Sequence, residues 1–311
     1  MSVSDAVQQD FDRHLLPDSI EIGTGTWQWG DRLVWGFGSN YGDADVQQAF
    51  EASLQAGITF FDTAELYGFG TSEKLLGRFI RQTGADVQIA TKFFPLPWRL
   101  FRGQLIGALR GSLRRLGVSR VDLYQIHWHM PPATVETWAH ALADALDQGL
   151  TRAVGVSNYS GEQLARSHAV LVERGYRLAS NQVEYSLLDR GIERDGTLAA
   201  ARERGVRIIA YSPLAKGLLT GKYSAENPPK GAGRKVDPAT WQRLMPLLDR
   251  MRAIGDARGK SPAQVALNWA ICKDTLPIPG AKNAAQVQHN AGAVGWRLTP
   301  DEVAELDHLS A

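Results

Sequence analysis

The sequence predicts an α/β fold, a single (β/α)8 TIM barrel, and three observations lead to this prediction. Short apolar stretches typical of buried strands alternate with helical patterns from one end of the chain to the other, and such alternation is typical of a parallel sheet. Eight strands are predicted, and eight parallel strands separated by helices close into a barrel. No change of composition divides the 311 residues, so we expect one domain spanning 1–311.

The first half of the chain predicts four strand–helix units. The strands are expected at 19–25, 58–62, 88–92 and 121–127. Apolar residues at helical spacing follow each strand and mark the helix face that packs against the sheet. These stripes are Val46, Ala49, Phe50 and Leu54; Leu75, Leu76, Phe79 and Ile80; Leu105, Leu109, Leu113 and Leu116; and Val135, Trp138, Ala139, Leu142 and Leu146. Ser72 is expected to cap the second helix and Gly117 to end the third.

The second half continues the pattern and then departs from it. Strands are expected at 152–157, 178–184, 206–211 and 275–279, with helices at 160–174, capped by Ser160, and at 194–204. The interval between the seventh and eighth strands is much longer than the others, and residues 214–240 are rich in Gly, Lys and Pro. Long loops inside compact folds are usually functional or disordered. We therefore interpret this segment as a lid over an anionic ligand, with a plain surface loop as the alternative.

Extra helices follow that long loop. Leu244, Leu247, Leu248 and Met251 mark the first of them. The second opens at Ser261-Pro262-Ala263-Gln264, which supplies a cap, a first-turn proline and a capping-box glutamine. A C-terminal helix completes the predicted fold.

Charge and composition argue against several classes of function. A net charge of +1 does not favour a nucleic-acid or anionic membrane surface. The single cysteine, Cys272, excludes an internal disulfide framework and a Cys-rich metal site and fits a reducing compartment, so the cytoplasm is the expected location and no metal is expected. No run approaches the ~20 apolar residues that span a bilayer. Residues 1–13 are polar, lack the features of a secretory signal, and are expected to be a loosely ordered leader.

Four polar side chains follow three successive strands and are expected to meet at one rim of the barrel. Asp62 ends the second strand and Tyr67 lies five residues later, while Lys92 and His127 end the third and fourth strands. An unperturbed tyrosine has a pKa of about 10, and a nearby ammonium such as Lys92 is expected to lower it. Asp62 would hold Lys92, and a neutral His127 could donate a hydrogen bond to a substrate oxygen. This set suits proton delivery to a carbonyl oxygen while another group delivers hydride.

In order and setting, these four residues resemble the catalytic tetrad of the aldo-keto reductases. The resemblance extends from Gly23-Thr24-Gly25-Thr26-Trp27 to Leu298-Thr299-Pro300, and its most specific motifs are Asp-Thr-Ala-Glu-Leu-Tyr-Gly at 62–68 and Val-Gly-Val-Ser-Asn-Tyr at 154–159. It implies NADPH-dependent reduction of aldehydes or ketones to alcohols by hydride transfer, with Tyr67 as general acid. A monomer or weak homo-oligomer acting on a small-molecule carbonyl substrate is expected.

Two other functions stay open on the sequence. A protein with the same tetrad could be an NADPH-binding sensor or regulatory subunit with little turnover. Alternatively, Asp62 and His127 could serve a barrel hydrolase or lyase that uses no nicotinamide.

The coenzyme site is predicted from the barrel and from the resemblance. The chain lacks Gly-x-Gly-x-x-Gly between a strand and a helix, whereas barrel enzymes often hold phosphate after strands seven and eight. The resemblance places the adenosine phosphate at Gly280, Lys282, Gln286 and Asn290, and Lys282 favours NADPH over NADH. Gln286 and Asn290 are four residues apart and are expected to share a helix face. It further implies contacts to the coenzyme from Gly25, Thr26 and Trp27. Ser157, Asn158 and Gln182 would contact the nicotinamide carboxamide, and the ring of Tyr211 would stack on the nicotinamide. The pyrophosphate would be bound by Ser212, Pro213, Leu214, Lys216, Gly217 and Leu218.

The substrate pocket is predicted to be aromatic. Trp27, Trp98 and Trp128 follow the first, third and fourth strands. Aromatic loops around a polar tetrad suit a small or medium aldehyde or ketone in a mostly apolar pocket.

Overall fold

Eight strands form one parallel sheet in which the spatial order of the strands is their order along the chain. The computed structural model describes residues 16–17, 19–229 and 236–310. The ring is closed by contacts between its first and last strands, since Gly23 and Gly25 donate backbone hydrogen bonds to Pro277 and Pro279 over 3.0 and 3.1 Å. The predicted barrel class is therefore confirmed. The predicted leader, 1–13, lies outside the described residues.

Each predicted strand is present, although the ladders are shorter at several ends. The strands are β1 (Thr24–Gly25), β2 (Phe60–Asp62), β3 (Gln88–Phe93), β4 (Val121–Ile126), β5 (Thr151–Ser157), β6 (Ser180–Glu184), β7 (Arg207–Tyr211) and β8 (Thr275–Pro277). The largest difference is at β1, where only two of the seven expected residues pair with β2. The preceding segment instead forms a turn in which Ile20 donates to the Pro17 carbonyl.

The α-helices lie around this ring and cover its outer face. In the part of the chain that is described they are α1 (Asp43–Gln55), α2 (Thr71–Thr83), α3 (Arg102–Leu116), α4 (Val135–Asp147), α5 (Gly161–Glu173), α6 (Gly191–Arg194), α7 (Thr197–Glu203), α8 (Pro238–Asp256), α9 (Pro262–Cys272), α10 (Ala284–Ala291) and α11 (Pro300–Leu309). The expected caps at Ser160 and Ser261 are confirmed, because each hydroxyl accepts from the backbone N–H three residues later. Gly117 ends α3 in the left-handed conformation, as predicted.

Two helix boundaries were predicted wrongly. Ser72 lies inside the first turn of α2, and the residue before that helix is a left-handed Gly70. The Ser72 hydroxyl is fully buried and donates to the Thr26 carbonyl over 3.0 Å instead of capping. The helix expected at 194–204 is divided into α6 and α7, because Gly196 adopts a φ of 84° that breaks the α-helical path.

The alternation of side chains along the strands places an apolar layer below a polar one inside the barrel. Successive strand residues point to opposite faces, so residues two apart share the interior. A separate buried cluster fills the interior with Leu16, Phe60, Ala90, Leu123, Ala153, Ala179, Ile209, Leu276 and Ile278. Two residues beyond Phe60, Ala90 and Leu123 come the polar Asp62, Lys92 and Gln125. The carboxyl end of the barrel is therefore polar while its centre is apolar.

Close packing of α2 against α3 predicts a strong effect at one glycine. A Cβ on Gly77 would lie 2.1 Å from the Leu116 carbonyl oxygen, whereas a Cβ on Gly107 of α3 would meet nothing within 4 Å. We expect Gly77→Ala to lower the free energy of unfolding by about 1–3 kcal/mol, because the helices must separate. Gly107→Ala should raise it by roughly 0.5–1 kcal/mol, since alanine favours the helix. Urea unfolding measures both, and equal stability of the two variants would contradict this packing.

The long connection between β7 and β8 is only partly described. A short 3-10 helix, Ala215–Thr220, follows β7, and α8 begins at Pro238. The stretch 230–235 of the predicted lid lies outside the described residues, so the lid remains a prediction. Among the described residues, no helix is long and apolar enough to cross a membrane, and no cluster of three potential metal-ligating side chains is found.

Candidate active site

Lys92 is the centre of the predicted tetrad. Its ammonium lies 2.5 Å from the Asp62 carboxylate, 2.8 Å from the Thr63 carbonyl oxygen and 3.3 Å from the Tyr67 hydroxyl. Lys92 is completely buried, and such a charge is tolerated only when it is paired and hydrogen-bonded. Three partners match the three N–H groups of an ammonium. The predicted convergence of Asp62, Tyr67 and Lys92 is therefore observed.

Asp62 is held from the opposite side of the barrel as well. Gln182 of β6 donates from its side-chain amide to the carboxylate over 2.7 Å, and Gln125 of β4 lies at 3.5 Å. The sequence assigned Gln182 to the coenzyme carboxamide, but its side chain is 2% exposed and is bonded to Asp62. Gln182 thus positions Asp62, and sequence reasoning missed Gln125 entirely. The alternation that predicted Lys92 could have found Gln125, which occupies the register position beside Lys92.

The electrostatics of Tyr67 differ from the prediction. Burial raises the pKa of the Tyr67 hydroxyl well above 10.0, and the Asp62 carboxylate raises it further. Burial lowers the pKa of Lys92 from 10.5, although Asp62 and Glu73 oppose the change. The pKa of Tyr67 was expected to be lowered by Lys92 and is raised instead, because burial of the hydroxyl outweighs the nearby ammonium. Tyr67 therefore remains a protonated phenol, the form that can donate a proton.

His127 stands beside Tyr67 at the end of β4. Its ring is edge-on to Tyr67 with centroids 5.7 Å apart, and edge-on to Phe94 at 5.6 Å. Its backbone N–H donates to the Phe93 carbonyl over 2.8 Å, which extends the sheet to this residue. Burial lowers the pKa of His127 to about 3, and the Lys92 charge contributes. The imidazole is therefore neutral near pH 7, as predicted.

The depressed pKa of His127 predicts a loss of stability on acidification. Between about pH 3 and the ordinary value of 6.5, the unfolded chain binds a proton that the folded chain does not. The free energy of unfolding must then fall as the pH falls through this window, by at most about 1.4 kcal/mol per pH unit. We expect His127→Gln to reduce this slope in urea unfolding between pH 6.5 and 4. An unchanged slope would contradict the lowered pKa.

A second polar group lies at the ends of β5 and β7. Asn158 donates from its amide to the His127 carbonyl oxygen over 3.2 Å and to the Ser157 hydroxyl over 3.0 Å. Its amide oxygen accepts from the Tyr211 hydroxyl over 3.0 Å. Asn158 also adopts a φ of 60°, an uncommon conformation that is often found at functional sites. Ser157 and Asn158, which were predicted to contact the carboxamide, and Tyr211, which was predicted to stack on the nicotinamide, thus lie together next to His127.

The segment after β7 contains several residues with positive φ. Ser212, Ala215 and Lys216 have φ values of 51°, 47° and 55°, and Gly217 has 99°. The Ala215 and Gly217 N–H groups donate to the Ser212 and Leu214 carbonyl oxygens, each over 2.8 Å, so internal hydrogen bonds hold these turns. Non-glycine residues with positive φ are costly, so their clustering marks a functional loop. This geometry fits the predicted pyrophosphate-binding stretch Ser212, Pro213, Leu214, Lys216, Gly217 and Leu218.

The start of α10 carries the predicted adenosine-phosphate residues. Asn283 caps the helix by accepting from the Gln286 backbone, and the Gln286 side chain accepts from the Lys282 backbone over 2.8 Å. Gly280 lies against the Gln28 side chain, which leaves no room for a Cβ. Asn290 is 6% exposed, whereas Gln286 is exposed. Gln286 and Asn290, which were expected to share one helix face, therefore differ in exposure. Lys282 and the N-terminus of α10 form the accessible part of this predicted phosphate site.

The residues of the first loop have two different roles. Gly25 pairs with β2 and forms a bridge to Gly280, and Thr26 is fully buried with its hydroxyl donating to the Asp62 carbonyl. These two residues therefore hold the barrel mouth together, and their predicted contacts to the coenzyme stay a prediction. Trp27 is 40% exposed and stacks on Tyr67 with centroids 6.2 Å apart. Its predicted place beside the reacting carbonyl is consistent with this stacking.

The other predicted substrate residues lie on the rim. Trp98 and Trp128 are 68% and 45% exposed, so both are accessible to a ligand. Sequence reasoning also missed the ion pair between Glu65 and Arg99. Together with a hydrogen bond from the Phe94 backbone N–H to the Glu65 carboxylate, this ion pair joins the segment after β3 to the segment after β2. The position of Glu65 inside the Asp-Thr-Ala-Glu motif was the available signal.

Comparison with known proteins gives relatives along nearly the whole chain. The model of the Aldo/keto reductase family matches residues 21–311. Pyridoxal reductase, chloroplastic, from Arabidopsis thaliana is 43% identical over 303 residues, covering 93% of this chain and 82% of that protein. The NADP(+) aldo-keto reductase yakc of Schizosaccharomyces pombe is 32% identical over 279 residues, covering 84% and 81%.

Solved structures give the same family. Glycerol dehydrogenase from Gluconobacter oxydans matches with a TM-score of 0.82 and 30% identity, covering 93% of this chain and 90% of that chain. An aldo/keto reductase from Klebsiella pneumoniae in complex with NADP and acetate matches with a TM-score of 0.72 and 29% identity, covering 93% and 91%. This chain therefore belongs to the aldo/keto reductase family and is an oxidoreductase that uses a nicotinamide coenzyme.

Proposed function

We propose that this protein reduces aldehydes or ketones to alcohols with NADPH and that Tyr67 is the general acid. The observation that carries the proposal is the triple contact of the buried Lys92 ammonium with Asp62, the Thr63 carbonyl and the Tyr67 hydroxyl. A buried ammonium that contacts a protonated phenol suits proton donation to a carbonyl oxygen.

Each of the site residues has its own role in the proposed reduction. The Tyr67 hydroxyl and the neutral His127 imidazole donate hydrogen bonds to the carbonyl oxygen and polarise it. NADPH supplies a hydride to the carbonyl carbon when it is bound. Tyr67 gives its proton to the oxygen, and Lys92 then stabilises the phenolate that remains. Asp62 keeps Lys92 charged throughout, and Gln182 keeps Asp62 in place.

Several residues would hold the coenzyme. Ser157 and Asn158 suit the carboxamide, the ring of Tyr211 suits the nicotinamide face, and the loop of left-handed residues from Ser212 to Gly217 suits the pyrophosphate. Lys282 at the start of α10 suits an adenosine phosphate, which supports NADPH over NADH. The S. pombe relative is named for NADP(+), and the K. pneumoniae structure holds NADP.

Pyridoxal is the aldehyde that we propose as the first substrate to test. The Arabidopsis relative at 43% identity is a pyridoxal reductase. The exposed faces of Trp27 and Trp128 beside Tyr67 and His127 suit a flat aromatic ring next to the reacting carbonyl. The single cysteine fits a reducing compartment, and we retain the cytoplasm as the proposed location, although that relative is named as chloroplastic.

The purified protein should be assayed with pyridoxal, other aromatic aldehydes, aliphatic aldehydes and ketones, each with NADPH and with NADH. We expect NADPH consumption with aromatic aldehydes and a lower kcat/KM with NADH. Tight NADPH binding with negligible turnover across the panel would instead favour a sensor. Failure to bind any nicotinamide coenzyme in a fluorescence titration would favour a hydrolase or lyase.

A further inference from the structure

The loop that follows β1 connects the two ends of the candidate site through its aromatic side chains. Trp27 stacks on Tyr67 at an interplanar angle of 28° and meets the Trp35 ring edge-on, with centroids 5.5 Å apart. The Lys282 ammonium lies 5.0 Å from the Trp35 ring centroid and 4.6 Å from that of Tyr41. A continuous set of ring contacts therefore runs from the proposed general acid to the proposed phosphate-binding cation.

This loop is also fastened to the segment that carries Lys282. The Trp29 indole donates to the Ala281 carbonyl over 2.9 Å, and the Lys282 ammonium lies 3.4 Å from the Trp35 carbonyl oxygen. The Tyr41 hydroxyl donates to the Gln28 carbonyl over 2.6 Å, which fixes the orientation of the Tyr41 ring. The Tyr41 ring and the Trp35 backbone are thus held by bonds that do not involve a ligand.

We propose that Trp35 and Tyr41 are positioning residues that hold the Lys282 ammonium in place for the adenosine phosphate. Through Trp27, the same rings link phosphate binding to binding of the carbonyl substrate. The inference rests on the proposed NADPH-dependent reduction. An ammonium over aromatic faces is attracted to the rings and still has N–H groups for an anion. A lysine that is already held loses less conformational freedom when the phosphate arrives. Selectivity for NADPH therefore depends on these two rings as well as on Lys282.

The test replaces the ring of Trp35 and measures coenzyme affinity apart from activity. We expect Trp35→Leu to weaken binding of NADPH and of 2′,5′-ADP by about threefold to thirtyfold, while NADH binding changes by less than about twofold. At saturating NADPH, the KM for the carbonyl substrate should rise, because Trp27 loses its neighbour, with little change in kcat. Trp35→Phe is the matched control, since it keeps a ring face, and it should retain the NADPH preference.

A double-mutant cycle distinguishes positioning of Lys282 by Trp35 from a general effect on the fold. In a Lys282→Ala background, Trp35→Leu should cause no further loss of NADPH affinity. The inference is overturned if Trp35→Leu weakens NADPH and NADH equally, if the two losses add, or if Trp35→Phe is as damaging as Trp35→Leu. A wild-type protein that binds no nicotinamide coenzyme would overturn the proposed function together with this inference. Wild-type binding of NADPH that is insensitive to Trp35 would overturn the inference alone.

Discussion

Tyr67→Phe is expected to lower kcat by a factor of about 10²–10⁴, the usual contribution of a general acid, while NADPH binds nearly as before. The substitution removes one oxygen and keeps the ring that stacks on Trp27. The carbonyl oxygen then retains the hydrogen bond from His127 but lacks a proton donor. Because burial keeps Tyr67 protonated, the wild-type enzyme should also show no loss of this acid between pH 6 and 9.

The measurement is steady-state reduction of an aldehyde at saturating NADPH, with coenzyme affinity from fluorescence titration. Tyr124→Phe is a matched control. Tyr124 is a buried tyrosine in β4. Unlike the Tyr67 hydroxyl, its hydroxyl has no hydrogen-bond partner among the described residues. Its removal should leave kcat within about threefold of wild type. Near-wild-type turnover by Tyr67→Phe would refute the assignment of the acid.

Lys92→Met should cost both activity and stability. The Asp62 carboxylate is 2% exposed, and without the ammonium it would be a buried charge with only the two glutamine amides for support. Breaking a buried ion pair by removing one partner typically costs about 3–5 kcal/mol. We expect a loss of this size in the free energy of unfolding and a loss of kcat, because nothing then stabilises the Tyr67 phenolate.

The double variant Asp62→Asn/Lys92→Met separates the two effects. It removes both charges, and the amide oxygen of the introduced asparagine can still accept a hydrogen bond from Gln182. We expect the double variant to be more stable than the sum of the single losses by about 2–3 kcal/mol, while its kcat stays as low as that of Lys92→Met. Additive losses of stability would show that the two groups do not interact. Recovery of activity together with stability would show that Lys92 serves only the fold.

Much of the fold could be predicted because its signals are local. A strand shows its alternation and a helix its stripe within a few residues, so the positions of β2 to β8 and of the caps at Ser160 and Ser261 followed from short windows of sequence. The errors were local as well. At Ser72 a side chain suited to capping formed a tertiary hydrogen bond to Thr26, and at Gly196 a single left-handed residue divided a helix.

The candidate site was predictable to the extent that strand ends imply a common rim. Asp62, Lys92 and His127 end successive strands, and parallel strands in chain order bring those ends together. The partners that hold these groups were harder to predict from the sequence. Gln182 is 120 positions from Asp62, and its amide could equally well have faced the coenzyme.

The sequence alone determined which residue types stand at the carboxyl ends of the strands, and hence the chemistry that the barrel mouth can perform. Only the tertiary structure decided how charge is balanced there and which rings support Lys282. The physical reason is that a pKa and a cation–π contact depend on groups within a few ångströms in space, and those groups come from distant parts of the chain. Strand register sets these neighbours, since a shift of one residue would turn Lys92 away from the interior.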